Sequence, residues 1–415
     1  MSQRVKRRRL SSHHETNGLG QDSNAYLDDI CRPASTVEKD TWNGFCEIES
    51  EPALFNVMLR EFGVKGVRVQ EVVSLDEEMM AFLNKPIYGL IFLFRWREDD
   101  PDKQEAICPE RLWFANQTAN NACASVALLN IVNNIDGIDL GENLQQFKDF
   151  TMRFTPALRG DAINNFEFVK RIHNSFARKM DILNSDLHLR NETTARRSHS
   201  SKGNRDSDND GGFHFIAFVP VEGKVWKFDG LERQPQALGE YSQEDWLDLV
   251  KPNILTRMAE YEEDQIEFSI LSLAKDPLVD LVGKLAANVK CLEIVQQRLK
   301  THEEGSSNHE LVASLLENTI LVPDESYGLT RVDIDEAVVT SEQMEEYGNC
   351  TIDGLIQNLQ KLSTSQCDLR ATIKEEQQSR QADDDYAFGR RYDYGPAVRL
   401  WVRFLARKRM LESLE

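Results

Sequence analysis

The chain has 415 residues, of which 40% are hydrophobic and 28% are charged, and its formal net charge is −20. This length and composition are typical of a globular protein with two or three domains, and the acidity argues against general nucleic-acid binding. The chain has no apolar run long enough to span a membrane and no signal-peptide core near its start, which predicts an intracellular protein without membrane contact.

Seven cysteines are scattered along the chain without a C-x-x-C pair. This spacing argues against a zinc ribbon and against a disulfide framework. We therefore expect reduced thiols, and we expect neither a metal nor a cofactor.

Residues 1–40 are polar and are predicted to form a disordered head. The head contains a short basic cluster, formed by Lys6, Arg7, Arg8 and Arg9. Such a cluster is typical of nuclear-import signals, although it also arises by chance. We predict a protein of the nucleus and the cytoplasm.

A helix is predicted next, with Ser50 as its N-cap, Pro52 in its first turn and Gly63 near its end. The stretch "VRVQEVVSL" is typical of a strand. The continuous apolar run "IYGLIFLFRW" predicts a central strand that is buried on both faces.

Cys123 precedes an apolar run, "ASVALLNIV", which predicts a buried helix with Cys123 in its first turn. The unpaired N–H groups and the positive end of the dipole at that position favour a thiolate. A reactive thiol is one interpretation. The other is a structural cysteine, because free cysteine is among the most buried residue types.

A further helix is predicted in "FEFVKRIHNSF", and a long polar loop follows it at about 181–212. Two strands, "GFHFIAFVPV" and "KVWKFDGL", are joined by Glu222-Gly223, which is a hairpin signal. A last strand is predicted in "FSILSLA".

The chain after Pro277 is predicted to be helical. Two segments carry heptad patterns, with the polar residues Asn288 and Gln366 at core positions. They predict an antiparallel helical hairpin, and a dimeric coiled coil is the alternative. The final helix, "AVRLWVRFLARKRML", has one apolar face and several arginines on the others.

A thiol nucleophile needs a base, a group that orients the base, and donors for the oxyanion. Among the eight histidines, His173 and His214 remain as candidate bases, since the others lie in the head, the polar loop or the helical part. His214 starts one strand of the hairpin, and Asp229 ends the other, so the two side chains can approach. Each residue taken alone has a structural interpretation as well: Asp229 as a turn residue and Gln117 as a cap of the helix.

The stretch "FANQTANNACASVALL" resembles the active-site segment of the ubiquitin C-terminal hydrolases, a family of thiol peptidases. "GFHFIAFVPVEGKVWKFDGLERQP" resembles the family's histidine and aspartate segment. "ESEPALFNVMLREFGVKGVRVQEVVSL" and "NSFAR" resemble two further segments, so the similarity covers about residues 40–275.

The resemblance implies roles for four residues. Cys123 would be the nucleophile, His214 the general base and Asp229 the residue that orients His214. Gln117 would form the oxyanion hole with the backbone N–H of Cys123. The substrate implied is ubiquitin joined through its C-terminal glycine to a peptide, a small adduct or a lysine side chain.

The resemblance also implies the fold, a papain-like α/β fold with a knotted backbone, and a C-terminal helical extension. The predicted domains are the head at 1–40, the catalytic domain at 41–275, the helical hairpin at 276–380 and a terminal module at 385–415. The loop at 181–212 would be the family's crossover loop, which selects substrates by size.

"RRYDYGPAVRLWVRFLARKRMLESL" resembles the terminal module of the longer family members, which binds an adaptor of the DEUBAD type. The proteasome- and INO80-associated type is favoured over the chromatin-acting histone deubiquitinases, because no long spacer separates the catalytic and helical parts. The alternatives are a catalytically quiet ubiquitin-binding scaffold and, less well matched, a papain-like protease that does not act on ubiquitin.

Overall fold

The structure is a computed structural model that describes residues 32–96, 100–184, 212–241, 246–259, 268–302, 309–317 and 319–408. The basic cluster of the head lies outside the described residues, as do residues 185–211 of the crossover loop that is predicted at 181–212. Residues 181–184, at the start of that predicted loop, are helical. The knotted path of the backbone stays a prediction, since it depends on that connection.

The catalytic part is built on a six-stranded antiparallel sheet with the strand order β1-β6-β2-β3-β4-β5. The strands are β1 (Val67–Glu71), β2 (Ile87–Arg95), β3 (Phe213–Val221), β4 (Lys224–Phe228), β5 (Gln236–Glu240) and β6 (Phe268–Lys275). Strand β2 lies between β6 and β3 and is buried on both faces, as its apolar run predicts.

The hairpin of β3 and β4 turns at Glu222 and Gly223, which both have positive φ angles, 50° and 76°. Two consecutive positive φ angles match the right-handed twist of the flanking strands, which confirms the hairpin prediction.

The described helices are α1 (Thr36–Thr41), α2 (Pro52–Phe62), α3 (Glu77–Met80), α4 (Cys123–Val132), α5 (Gly141–Thr151), α6 (Pro156–Asn164), α7 (Glu167–Asn174), α8 (Trp246–Met258), α9 (Pro277–His302), α10 (His309–Leu316), α11 (Arg331–Glu336), α12 (Ser341–Asn349), α13 (Ile352–Arg391) and α14 (Gly395–Arg407). Single 3-10 turns occur at Pro101–Lys103 and Glu325–Tyr327.

Two apolar cores lie on the sheet. The larger contains α2, α4 and α7 and includes Ile91, Leu128 and Phe215, while the smaller contains α8 and includes Phe92, Phe94 and Ile216. Neighbouring residues of β2 therefore enter opposite cores, as the two-residue period of a strand requires. The larger core surrounds α4, whose residues after Cys123 are all buried.

The helical extension is an intramolecular antiparallel packing of α9 against α13. Its ends show the direction, because Leu285 lies in one cluster with Ile373, and Leu299 lies in another with Leu355. At the centre, the Gln366 side chain donates to Asn288 Oδ1 at 3.2 Å. The predicted hairpin is therefore found within one chain, and its two polar core residues pair with each other.

The structure differs from the sequence predictions at the end of the head, at the N-cap of α2 and at the boundary of the terminal module. The head was expected to be disordered to residue 40, but α1 begins at Thr36 with a capping box between Ser35 and Glu38. The N-cap residue of α2 is Glu51, which makes no side-chain cap, and not Ser50, whose hydroxyl donates to Ser269 Oγ at 2.8 Å. A serine hydroxyl can bond either to the N–H groups of a helix start or to another polar group nearby. Here the Ser50 hydroxyl bonds to Ser269 of β6 and is not available as a helix cap.

The predicted boundary between the hairpin and the terminal module, at 380–385, falls inside α13. This helix continues to Arg391 and packs on the catalytic part, where Ala387 belongs to the larger core. Arg390 is buried and donates to Glu49 and to the carbonyl of Phe176. The extension is thus joined to the catalytic part by its longest helix.

In the described ranges we find no helix that is both long and apolar enough for a membrane span.

Candidate active site

Cys123 is the first residue of α4, and the sheet and α2 bury the helix that follows it. The N-cap, Ala122, makes no side-chain cap. The first backbone N–H groups of α4 therefore keep their hydrogen-bonding capacity beside the thiol. Asn121, with a φ of 61°, directs the chain into the helix, and its side chain donates to the carbonyl of Phe45 at 3.3 Å.

His214 lies near the start of β3, and Asp229 is the residue after the end of β4. His214 Nε2 donates to Asp229 Oδ1 at 2.7 Å, and both residues are 3% exposed. Cys123 lies close enough to His214 that the thiol, together with the Asp229 carboxylate, raises the pKa of the imidazole. The structure thus brings the three predicted side chains together in the order thiol, imidazole and carboxylate.

The electrostatics of the pair follow from burial and charge. Burial alone lowers the pKa of His214, but the hydrogen bonds and charges of Asp229 and Cys123 outweigh it and raise the pKa to about 9. Burial raises the pKa of Asp229, and the hydrogen bond and charge of His214 offset this, so that the pKa lies below its ordinary value. The arrangement therefore favours an imidazolium beside a carboxylate at neutral pH.

Gln117 lies beside the turn that carries Asp229. Its backbone N–H donates to the carbonyl of Gly230 at 2.8 Å. A Cβ at Gly230 would stand 3.1 Å from both the Cβ and the N of Gln117, so a glycine permits this approach. The side-chain oxygen Gln117 Oε1 is buried and has no partner among the described residues.

His173, the second candidate base, has a different position. Its Nε2 donates to the carbonyl of Cys46 at 2.8 Å, and its Nδ1 then accepts from the hydroxyl of Ser125 at 2.7 Å. Burial lowers the pKa of His173 to about 4. Both ring nitrogens of His173 are thus occupied by hydrogen bonds to Ser125 and Cys46. His173 is therefore a buried neutral histidine and not the base.

Comparison with known proteins assigns the family. Residues 45–259, more than half of the chain, match the family described as ubiquitin carboxyl-terminal hydrolase, family 1. The chain is 35% identical over 270 residues to ubiquitin carboxyl-terminal hydrolase isozyme L5 of Dictyostelium discoideum, covering 64% of this chain and 73% of that relative. The chain belongs to the ubiquitin carboxyl-terminal hydrolase family.

Two further relatives accompany this match. Ubiquitin carboxyl-terminal hydrolase ubh-4 of Caenorhabditis elegans is 34% identical over 286 residues, covering 68% of this chain and 78% of ubh-4. A crystal structure of the Trichinella spiralis UCH37 catalytic domain bound to ubiquitin vinyl methyl ester is 33% identical, covers 56% of this chain and 96% of that one, and has a TM-score of 0.46.

Membership of the ubiquitin carboxyl-terminal hydrolase family confirms the predicted enzyme class. The protein is a thiol peptidase of the deubiquitinase type. Among the residues that the structure describes, no group of three or more His, Cys, Asp or Glu side chains is arranged to hold a metal ion.

Two residues around the site were missed by sequence reasoning. Asn116 donates from its side chain to the carbonyls of Gly230 and Glu232. Arg159 is 3% exposed and donates to the carbonyls of Leu112 and Phe114, in the segment that leads to Gln117. The guanidinium also donates to the carbonyls of Thr151 and Met152, and its contact with the segment before Gln117 has no local sequence signal, since that segment lies about 45 residues earlier in the chain.

Proposed function

We propose that this hydrolase cleaves the bond after the C-terminal glycine of ubiquitin, with Cys123 as nucleophile, His214 as general base and acid, Asp229 as the orienting group and Gln117 in the oxyanion hole. The observation that carries these roles is the 2.7 Å hydrogen bond between the buried His214 and Asp229, beside a Cys123 thiol that is near enough to raise the pKa of the same imidazole. A carboxylate on the far nitrogen fixes the orientation of the imidazole and stabilises its protonated form.

In the first step, Cys123 Sγ attacks the carbonyl carbon of the terminal glycine, and the thiol proton resides on His214. The negative charge that develops on the carbonyl oxygen receives hydrogen bonds from the Cys123 N–H and the Gln117 amide. Each such donor is worth about 3 kcal/mol. The intermediate then expels the amine, which takes the proton from His214, and a thioester remains.

In the second step, water attacks the thioester carbonyl while His214 accepts its proton. The second tetrahedral intermediate releases the Cys123 thiolate and the C-terminal carboxylic acid of ubiquitin, which loses its proton to solvent and becomes the carboxylate. His214 is again protonated beside the thiolate, so the site returns to its starting charge state. The cycle needs only the groups named here and one water molecule.

The test is hydrolysis of a fluorogenic amide at the ubiquitin C-terminus by the full chain and by Cys123→Ala. We expect turnover by the wild type and none by the variant. The scaffold alternative predicts no turnover by either, together with no covalent capture by ubiquitin vinyl methyl ester. Capture without turnover would indicate a reactive Cys123 in a chain that needs an activator.

The same proposal includes an adaptor on α14. This helix exposes apolar side chains, with Leu400 69% and Trp401 65% exposed, and it carries arginines at 399, 403 and 407. An exposed apolar patch with a charged rim is typical of a protein-binding surface. We infer a DEUBAD-type adaptor that covers Trp401 and presents acidic groups to the arginines.

Calorimetric titration with a recombinant DEUBAD-type domain tests the adaptor. Trp401→Asp should abolish the binding that the wild type shows, because it places a charge at the centre of the apolar patch. Val338→Asp is the control, since Val338 is 82% exposed and lies far along the chain from α14. Equal binding by Trp401→Asp and the wild type would contradict the proposed surface.

We favour the proteasome-associated type over the chromatin-acting type. Strand β6 ends at Lys275 and α9 begins at Pro277, which leaves no spacer between the catalytic and helical parts. The relatives of the isozyme L5 and ubh-4 type share about three quarters of their length with the chain, at 73% and 78%. Two measurements separate the types. Co-purification with proteasomes would support the proteasome-associated type, and removal of ubiquitin from histones would support the chromatin-acting type.

We propose residence in the nucleus and the cytoplasm, supported by the basic cluster Lys6, Arg7, Arg8 and Arg9. Replacement of the four residues by alanine in a fluorescent fusion should deplete the nuclear pool.

The predicted crossover loop is tested by deletion. Deletion of residues 186–210 should change the turnover of large conjugates and leave the turnover of the small fluorogenic amide intact.

A further inference from the structure

The position of the Asp229 carboxylate depends on a tight turn. Asp229 Oδ1 accepts the backbone N–H of Leu231 at 2.9 Å, in addition to the proton of His214. The backbone N–H of Glu232 donates to the carbonyl of Asp229 at 3.1 Å. A change in the path of residues 230–232 would therefore move the donor that helps to orient the carboxylate.

The side chain of Asn116 donates hydrogen bonds to the backbone of this turn. Its Nδ2 donates to the carbonyl of Gly230 at 3.3 Å and to the carbonyl of Glu232 at 2.5 Å. These carbonyls stand on either side of Leu231, whose N–H contacts Asp229. A single amide group thus bridges the two ends of the segment that presents this N–H.

Asn116 is itself held in place by α6. Its backbone N–H donates to the carbonyl of Pro156 at 3.0 Å. A Cβ at Gly160 would stand 2.2 Å from the carbonyl oxygen of Asn116, so the backbones touch at this point. The side chain therefore extends from a fixed backbone, which makes it a suitable support for the turn.

We propose that Asn116 is a positioning residue for the catalytic triad, which acts through the Asp229 turn and touches neither substrate nor reacting atoms. This inference rests on the proposed roles of Cys123, His214 and Asp229. It goes beyond them because it assigns to the residue before Gln117 a function in the orientation of His214.

Two other roles for Asn116 make different predictions. If Asn116 acts only through its neighbour Gln117, its loss weakens the oxyanion hole and leaves the titration of His214 unchanged. If it serves stability alone, its loss lowers the melting temperature and leaves the activity of the folded enzyme unchanged. If it holds the Asp229 turn, its loss weakens the carboxylate's contact with His214 and lowers the pKa of that imidazole.

The experiment compares the full chain with Asn116→Ala and Asn116→Asp in the fluorogenic ubiquitin assay over a range of pH. The aspartate has the shape of asparagine but offers an acceptor to two carbonyl oxygens, so it should be the more harmful change. We expect kcat to fall by about 10- to 100-fold with KM within about threefold, as for a loss felt in the transition state. The alkaline limb of the pH profile of Asn116→Ala, which adds no charge, should move to lower pH.

A double-mutant cycle identifies the residue through which Asn116 acts. In an Asp229→Asn background, Asn116→Ala should have less than about a twofold further effect, because the contact it supports is already lost. In a Gln117→Ala background, its effect should remain close to the full one. The reverse pattern, or an unmoved alkaline limb, would overturn the proposal.

The matched control is Asn134→Ala. The Asn134 side chain also donates to two carbonyls, those of Trp113 and Asn130, each at 2.7 Å, but it lies away from the Asp229 turn. It should lower the melting temperature without a shift of the alkaline limb. An equal shift in Asn134→Ala would mean that general loosening of the domain explains the effect, and the proposal would fail.

A direct titration separates this inference from the proposed function. The imidazole of His214 is followed by NMR in the wild type, Asn116→Ala and Asn134→Ala, which requires no turnover. The alanine adds no charge of its own near the imidazole, so a lower pKa in Asn116→Ala alone supports the positioning role even if the isolated chain is silent in the assay. An active wild type with an unchanged His214 titration in Asn116→Ala overturns the inference and leaves the proposed function standing.

Discussion

At the scale of single residues, the site contains buried ionisable groups, and the cost of burying each charge is offset by one specific partner. Asp229 and His214 are buried together, and each lowers the cost of charging the other. His173 is equally buried but has only a carbonyl and a hydroxyl as partners, so it stays neutral. The same residue type therefore serves two purposes according to whether a carboxylate faces it.

Replacement of Asp229 by Asn should lower kcat/KM by two to four orders of magnitude. The variant keeps the size of the side chain but loses the charge that orients the imidazole and stabilises its protonated form. Steady-state hydrolysis of the ubiquitin amide measures the effect, with the melting temperature as a check on folding. A loss of less than about threefold would show that Asp229 does not orient His214.

The two histidines should give opposite pH dependences of stability. The pKa of His214 is raised to about 9, so its contribution is fully present below its unfolded value of 6.5 and is lost as the pH rises through 9. The pKa of His173 is lowered to about 4, so protonation favours the unfolded chain and stability falls as the pH drops from 6.5 toward 4. Each effect amounts to at most about 3 kcal/mol.

Denaturant unfolding across this pH range measures both effects. His173→Gln should flatten the acid side of the stability profile and leave the alkaline side unchanged. His214→Gln should do the opposite, so each variant is the control for the other. A profile whose acid side is the same in His173→Gln and the wild type would contradict the neutral, buried state of His173.

At the scale of elements, the long helix α13 connects the helical extension to the catalytic part through a row of charged contacts. Arg68 pairs with Glu376, Arg380 with Asp276, and Arg391 with Glu61 at 2.7 Å. Arg390 is the most buried of the arginines in this row, and its NH1 donates to the carbonyl of Phe176 at 2.7 Å. These pairs join elements more than 100 residues apart, which fixes where the helix lies on α2.

Arg390→Ala should lower the free energy of unfolding by about 2 kcal/mol or more, because it leaves the buried carbonyl of Phe176 without its donor and removes the hydrogen bonds to the carboxylate of Glu49. Chemical denaturation of the full chain provides the measurement. Arg111→Ala is the matched control, since the 3.4 Å pair of Arg111 with Glu222 is largely exposed and should be worth less than about 1 kcal/mol. Equal effects in the two variants would contradict the structural role of Arg390.

At the scale of the whole molecule, the catalytic and helical parts share a core, because Ala387 of α13 belongs to the larger apolar cluster of the catalytic part. The boundary at residue 275 is therefore a boundary in sequence and not in packing. Helix α14, the proposed adaptor site, follows directly on the segment of α13 that contacts the catalytic part. This would give an adaptor on α14 a short structural connection to Phe176 and to Asp181, the first residue of the predicted crossover loop.

Truncation after residue 275 should lower the melting temperature more than truncation after residue 394. The first cut removes α13 and exposes the apolar surface of α2 and the partners of its arginines, whereas the second removes only α14, in which no residue is buried. Thermal unfolding of both truncated chains and of the full chain tests this. A fragment 1–275 as stable as the chain 1–394 would show that the packing of α13 contributes little.

Much of the local structure follows from the sequence alone. The central position of β2, the turn at Glu222-Gly223 and the start of α4 at Cys123 are each determined by residues within a few positions of one another. Backbone conformation and apolar periodicity act over that distance, so a sequence pattern reports them. The capping box of α1 has the same local character, and its pattern S-x-x-E was present but overlooked in the polar head.

The chemistry of the site was only partly determined in this way. The roles proposed for Cys123, His214, Asp229 and Gln117 come from the resemblance to the family, while spacing alone leaves His173 as a rival to His214. The tertiary structure excludes His173, because it shows what faces each imidazole: a hydroxyl and a carbonyl for one, a carboxylate and a thiol for the other. The roles of Asn116, Arg159 and Arg390 also depend on partners far away in the chain. Which distant group meets a side chain is a property of packing, and no local pattern encodes it.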